Sequence, residues 1–286
     1  MDTLRDAIRE LTRQHLDAGY AVASQTATAV GHVGNTLPDH PGITELPCSD
    51  VSNAGVMVGY ALAGKRPIYV IRYQGFSFFN AAMIVNYAAK APELWGKRVP
   101  VLVRGIAMEG AIGPVAGSAH HGLWSMPGVR IYSPMRPAEW AVAYREWMLY
   151  GGVAYLSEHR GAWGNVDCVD VWPVPEPNAV LFPISITRHA ALSASSSHGN
   201  LYVCPLWKLR PLEVPEFALE ALRQCGRGLV IDAAHTQFGK SIAHDLARMT
   251  GARVNAIGLE DRTAGFYRDN LPPDETRIRE AVNVIA

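Results

Sequence analysis

No charge of either sign predominates in this chain: 26 Lys and Arg stand against 26 Asp and Glu in 286 residues. That balance gives no reason to expect nucleic acid or an anionic membrane surface as a partner. Cysteine is scarce and scattered. Cys48, Cys168, Cys204 and Cys225 form neither CxxC pairs nor clusters with histidine, which reads as free thiols in a reducing compartment and not as a disulfide framework or a zinc site. No early basic segment leads into an apolar run, and no stretch reaches the roughly 18 apolar residues of a membrane span. The expected location is therefore the cytoplasm. A GxGxxG entering a helix after the first strand is missing, as is GxxxxGK[ST], so neither a Rossmann dinucleotide site nor a P-loop is supported. There is no GxSxG elbow for a serine hydrolase either.

What is present is an alternation of β-branched runs and helical patterns, long enough for two domains at about 150 residues each. "LRDAIRELTRQHLDAG" (4–19) has helical spacing, with Gly19 at the C-terminal cap. "RPIYVIRY" (66–73), "RVPVLVRG" (98–105), "GVRIYSP" (128–134) and "GVAYLSEH" (152–159) read as strands. "FFNAAMIVNYAAK" (78–90) and "PAEWAVAYREWMLY" (137–150) between them read as helices, the latter started by Pro137 and ended by Gly151. Such alternation predicts an α/β fold with a mainly parallel sheet covered on both faces. "VWPVPEPNAVLFP" (171–183), with four prolines, is expected to be a linker, and "SASSSHGN" (193–200) a loop. Strands and helices then resume, ending in a helix capped near Asp274. The expected division is residues 1–170, a linker and loop over 171–200, and a second α/β domain over 201–286.

Several segments hold candidate chemistry, each with a plainer alternative. In "LPCSDVSNAGVMVGYALAG" (46–64), Asp50 precedes a helix that carries Gly55, Gly59 and Ala63 on one stripe. Glycine costs about 1 kcal/mol against alanine within a helix, so two on one face imply a close approach to the backbone. Taken alone, Asp50 reads as a helix cap. "GFSFF" (75–79) reads as core aromatics or as a stacking surface for a heteroaromatic ring. The loop "RGIAMEGAIGPVAGSAHHG" (104–122) follows a buried strand, where open parallel sheets bind ligands. Its His120 and His121 are either solvated or placed to move protons at a carbonyl or hydroxyl. "SEHR" (157–160) reads in isolation as a surface ion pair, worth little stability.

Taken in order, these segments resemble the thiamine-diphosphate-dependent transketolase-like superfamily, most of all the β subunit of the decarboxylase component of 2-oxo acid dehydrogenases. The resemblance runs through "SDVSNAGVMVGYALAG", "NAAMIVNYAAK", "VPVLVRG", "SAHHG", "PGVRIYSPMRPAEW", "SEHR", "KLRPLE" and "LPPDETRIREAV", which spans nearly the whole chain. It implies a pyrimidine-binding domain followed by a shortened transketolase C-terminal domain. It also implies that Asp50 bonds a pyrimidine nitrogen of thiamine diphosphate, that Phe76 or Phe79 stacks on the pyrimidine, and that His120, or His121 with the loop shifted by one, faces substrate. Arg104 is implied to orient the loop or a substrate carboxylate. The hard chemistry belongs to the cofactor.

Family members hold the diphosphate through Mg²⁺ with a GDG motif, and no GDG occurs here. The resemblance therefore implies an α-type partner subunit that carries the motif and most of the Mg²⁺ contacts, assembled as an α2β2 heterotetramer. The implied activity is cleavage of a 2-oxo acid with transfer of the acyl or hydroxyalkyl unit. Ketol transfer from a sugar phosphate by a two-subunit transketolase is the alternative, and a catalytically silent subunit is a third reading. Three departures from the family pattern are specific. "HHGLWSMPG" (120–128) runs from histidine to "PG" in fewer residues than family members do. Asp50 stands where the family has glutamate, shortening the reach by roughly 1.5 Å. The stretch 189–207 is expected to be too short for the strand–helix–strand that opens the C-terminal domain.

Overall fold

Thr3 and Asp6 close a capping box at the start of α1 (Leu4–Asp17): Thr3 Oγ1 accepts from the Asp6 backbone N–H, and the Asp6 carboxylate accepts from that of Thr3. Gly19, at φ +80°, follows the last turn in the left-handed conformation that ends many helices. The computed structural model describes residues 2–108, 118–168, 174–261 and 271–285, and their contacts divide them into one unit through Asp167 and another from Cys168. Residues 109–117 of the glycine-rich loop and 171–173 of the proline-rich stretch lie outside the described residues.

The first unit is built on β1 (Val22–Gln25), β2 (Ile43–Leu46), β3 (Ile68–Ile71), β4 (Val101–Ala107), β5 (Val129–Tyr132) and β6 (Val153–His159), in the order β2-β1-β3-β4-β6-β5. Every one of these neighbours is parallel. All residues of β3, β4 and β6 are buried, as strands covered on both faces require. Their register sets Ile71 beside Gly105 and Ala107 beside His159, so three carboxyl ends lie together. The helices are α2 (Ala29–Asn35), α3 (Asp50–Leu62), α4 (Ser77–Met83), α5 (Ala91–Trp95) and α6 (Pro137–Tyr150). A π-helical segment, Ile84–Ala88, continues α4. As expected, α6 starts at Pro137 and ends at a left-handed Gly151.

The second unit contains β7 (Ala179–Pro183), α7 (Thr187–His198), β8 (Leu201–Val203), β9 (Lys208–Arg210), α8 (Glu216–Cys225), β10 (Arg227–His235), α9 (Thr236–Thr250), β11 (Arg253–Leu259) and α10 (Glu275–Ile285). Four strands form a parallel sheet in the order β11-β10-β7-β8. Leu181, Ala191, Leu229, Ile278 and Val282 are among its buried core residues.

Three expectations are corrected here. Residues 179–183, expected as linker, are the fully buried strand β7, because "AVLF" is an apolar run that outweighs the neighbouring prolines. The expected serine loop, 193–200, is mostly the end of α7. Ser196 and Ser197 donate to the carbonyls of Leu192 and Ser193 four residues back, Ser193 and Ser197 also bond Glu275, and Ala191 and Ala194 are buried. With their hydroxyls satisfied in this way, the serines do not compete with the helix. The unit therefore does open with strand–helix–strand, β7-α7-β8, which the sequence seemed too short to hold.

Candidate active site

Asp50 is the first residue of α3 and not its cap; the cap position is Ser49, whose side chain makes no capping bond. The Asp50 carboxylate instead turns toward α4, where Oδ1 accepts from Asn80 Nδ2 at 2.8 Å. Asn80 is fully buried and held at three points. Its Nδ2 also donates to the Phe76 carbonyl at 3.0 Å, and its Oδ1 accepts from Tyr69 Oη at 2.6 Å. Burial, with the Asp50 charge adding to it, raises the Tyr69 phenol above its ordinary pKa, so it stays a donor. Asp50 is half-buried, and Oδ2 has no hydrogen-bond partner among the described residues.

The aromatic run around Asn80 is not core. Phe78 and Phe79 are exposed, and Phe76 is half-buried with its ring 6.4 Å from that of Tyr73. Phe78, which the sequence did not single out, meets His120 edge to face at 5.5 Å between ring centres.

The two histidines differ in place and state. His121 is fully buried, its Nδ1 3.1 Å from Ser157 Oγ, so it does not lie on an open surface. His120 is half-buried. Its Nδ1 lies 2.8 Å from the Ser118 carbonyl, which can only accept, so that nitrogen carries the proton and Nε2 the lone pair. Burial lowers its pKa, with the bond to Ser118 opposing and the neighbouring His121 adding. A neutral ring with Nε2 as acceptor results at pH 7.

Gln74, which the sequence reading passed over, ties this loop to the strands. Its Oε1 accepts from the His120 backbone N–H at 2.6 Å, and its Nε2 contacts Ser157 Oγ and the carbonyls of Gly105 and Glu158 at 2.9–3.2 Å. Arg104 is placed differently from the expectation. It is fully buried, and Glu158 grips it through two bonds, Nε to Oε1 at 2.5 Å and Nη2 to Oε2 at 3.0 Å, while Nη2 also reaches Thr36 Oγ1 at 3.2 Å. "SEHR" is thus no surface pair: Ser157, Glu158 and His159 are all buried. The guanidinium is thus held inside the strand ends, with Nη1 buried and without a hydrogen-bond partner among the described residues. Among the described residues, no three His, Cys, Asp or Glu side chains group closely enough to hold a metal ion.

On the glycine stripe, a Cβ at Gly55 would meet Met83 Cε at 3.4 Å, whereas one at Gly59 would meet nothing within 4 Å. Val56 and Leu62 on the same helix are exposed.

Comparison with known proteins places these features in context. No family model matches the sequence. The chain is 26% identical over 272 residues to "Pyruvate dehydrogenase E1 component subunit beta" of Rickettsia bellii (strain RML369-C), covering 80% of this chain and 79% of that protein. It is 23% identical over 263 residues to the protein of the same name from Rhizobium meliloti (strain 1021), covering 82% of this chain but only 56% of the relative. Among solved structures, "Split gene transketolase, inactive beta4 tetramer" superposes with a TM-score of 0.71 at 16% identity, over 100% of this chain and 99% of the other. The chain therefore has a transketolase-like α/β fold and resembles, over most of its length, the β subunits of pyruvate dehydrogenase E1 components.

Proposed function

We propose that this chain is the β-type subunit of a split thiamine-diphosphate-dependent enzyme that cleaves a 2-oxo acid and transfers the acyl or hydroxyalkyl unit to an acceptor. The observation that carries the reading is the Asp50 carboxylate, anchored at Oδ1 by Asn80 and open at Oδ2 beside the Phe76–Phe79 run. A carboxylate oxygen near partly exposed aromatic rings fits a pyrimidine that must be both hydrogen-bonded and stacked. Thiamine diphosphate, when bound, supplies the electron sink for breaking the C–C bond.

The chain's own residues then have distinct tasks. Asp50 Oδ2 would hydrogen-bond a pyrimidine ring nitrogen, and Phe76 or Phe79 would cover the face of the ring. His120 meets substrate with Nε2 as proton acceptor, while Gln74 holds its backbone. Arg104 and Glu158 keep the strand ends rigid. An α-type partner with a GDG motif holds the diphosphate and Mg²⁺, and two such pairs assemble as a cytoplasmic α2β2 heterotetramer. The open face of α3 at Val56, Gly59 and Leu62 is where a subunit packs.

The test is co-purification of the chain with a GDG-containing partner, thiamine diphosphate and Mg²⁺, followed by assays of pyruvate decarboxylation and of ketol transfer. Turnover of the first kind, abolished by Asp50→Ala, is the expected result. Turnover unchanged by Asp50→Ala removes the assigned role of this carboxylate, and ketol transfer without decarboxylation replaces the reaction. No turnover of either kind, in parent and in Asp50→Glu alike, leaves the silent-subunit reading.

A further inference from the structure

In the first unit an apolar groove with an acidic rim runs between α1 and α6. The chain path sets it apart from the open α3 face. Connections from β2 to β3 and from β3 to β4 cross the sheet in one direction, and that from β5 to β6 crosses in the other. Right-handed crossovers therefore put α3 and α4 on one face and α6, with the α1 that packs on it, on the opposite face.

Ala7 and Leu11 of α1 and Ala138 and Ala141 of α6 line the groove, which has a volume of about 440 Å³. Three of these four side chains are single methyl groups, too short to fill the space between the helices. The width is fixed by the segment that joins the two helix starts. Leu4 N–H donates to the Asn165 carbonyl at 2.7 Å, and Asn165 Nδ2 donates to the Met135 carbonyl at 2.9 Å.

Charge of one sign surrounds this apolar floor. Asp2, Glu10 and Asp167 stand at the groove, and among the described residues no Lys or Arg lines it. Asp167 Oδ1 accepts from the Ala138 backbone N–H at 3.0 Å, which meets the positive end of α6. No cation pairs with Asp167 or with the exposed Asp2 among the described residues. Glu10 is bound by Arg13, but Arg13 also binds Asp17, so one cation serves two acids.

An apolar floor below uncompensated carboxylates matches a side chain with an aliphatic stem and a cationic head. A guanidinium suits it better than an ammonium, being more weakly hydrated and forked to match a carboxylate. The volume exceeds one such side chain, so an apolar neighbour on the same segment also has room. We infer that this groove docks an arginine-bearing segment of another protein, with the arginine stem on the alanines and its head at the acidic rim. Arginine seated in this way is a common anchor of protein interfaces. The inference does not depend on any reaction of the chain.

The experiment uses the full chain without cofactor. The peptide acetyl-Leu-Arg-Leu-amide, n-butylguanidinium and its uncharged isostere n-butylurea are titrated at low ionic strength. NMR follows the methyl resonances of Ala7, Ala138 and Ala141, each identified by its loss in the Ala→Ser variant. The peptide is expected to bind tightest, n-butylguanidinium more weakly and n-butylurea not measurably, with the groove methyls shifting. Asp2→Asn and Asp167→Asn each weaken the peptide about 2–5-fold, the range of an exposed charge pair, and added salt weakens it further. Asparagine keeps an acceptor for the Ala138 N–H, so the start of α6 is preserved. Glu216→Gln, at a surface pair with Arg223, is the control and leaves the affinity unchanged. Equal binding of n-butylurea and n-butylguanidinium, or affinity indifferent to both aspartate substitutions, overturns the inference. A peptide no tighter than n-butylguanidinium overturns it in favour of a free organic cation, and groove methyls unmoved by all three compounds overturn it outright. No turnover is measured, so failure here is separate from failure of the Asp50 test.

Discussion

Asn80 Nδ2 donates to Asp50 Oδ1 at 2.8 Å and fixes the acid's orientation through a residue that is itself anchored to Tyr69 and to the Phe76 carbonyl. The orientation of this short acid is therefore set by its neighbours. Asn80→Ala removes the anchor and leaves the buried Tyr69 hydroxyl without its acceptor. The expected cost is about 1–3 kcal/mol of stability, read by urea unfolding. In the assembled enzyme, turnover is expected to fall about 100-fold, with weaker thiamine diphosphate binding, since a misplacement near 1 Å has an effect of that order.

Arg104 and Glu158 form a pair with neither side chain exposed. Breaking it from one side strands a charge in the interior, so Arg104→Met or Glu158→Gln is expected to destabilise the chain by about 3–5 kcal/mol. The double variant Arg104→Met/Glu158→Leu recovers part of that loss. Chemical denaturation measures both. A single Arg104→Met with unaltered stability returns the arginine to the list of substrate contacts.

His15 in α1 is buried, with Nδ1 2.8 Å from Tyr144 Oη and Nε2 2.9 Å from the Arg66 carbonyl. Burial lowers its pKa to about 4, despite the backbone bonds that oppose the shift. Above pH 6.5 the imidazole is neutral in both folded and unfolded chains; below it, only the unfolded chain takes up the proton. Stability is thus full above pH 6.5 and falls as the pH drops toward 4, by about 1.4 kcal/mol per unit from this group. The lowered pKa of His120 acts in the same direction. Unfolding midpoints between pH 7 and 5 show the slope, and His15→Gln flattens it.

Gly34, at φ +63° and against Trp163, tolerates no side chain. Gly34→Ala is expected to lose about 1–2 kcal/mol from the left-handed backbone alone, with the clash in addition. Thermal unfolding checks the loss, and a changed Trp163 indole resonance shows that its packing against residue 34 has moved.

Much of the fold was legible because it follows from local chemistry. Apolar runs mark β3, β4 and β6, Pro137 and Gly151 bracket α6, and ordered motifs identify the transketolase-like architecture. β1, α2 and β2 escaped notice, since "VASQ" and "ITEL" become strands mainly through neighbours in the sheet. The α7 helix was hidden because its serines find carbonyl partners, and Glu275, only once the chain is folded.

By itself the sequence determined the order of elements, the position of Asp50 at a helix start, and the candidates His120, His121 and Arg104. Tertiary structure alone decided what each of them faces. Registered parallel strands bury Arg104 against Glu158, fifty-four residues away, and seat His121 on Ser157. They leave His120 half-open and bring Arg72 and Arg160 to a common cavity. Which side chain is paired and which is free depends on long-range register, and residue type and spacing do not encode that locally.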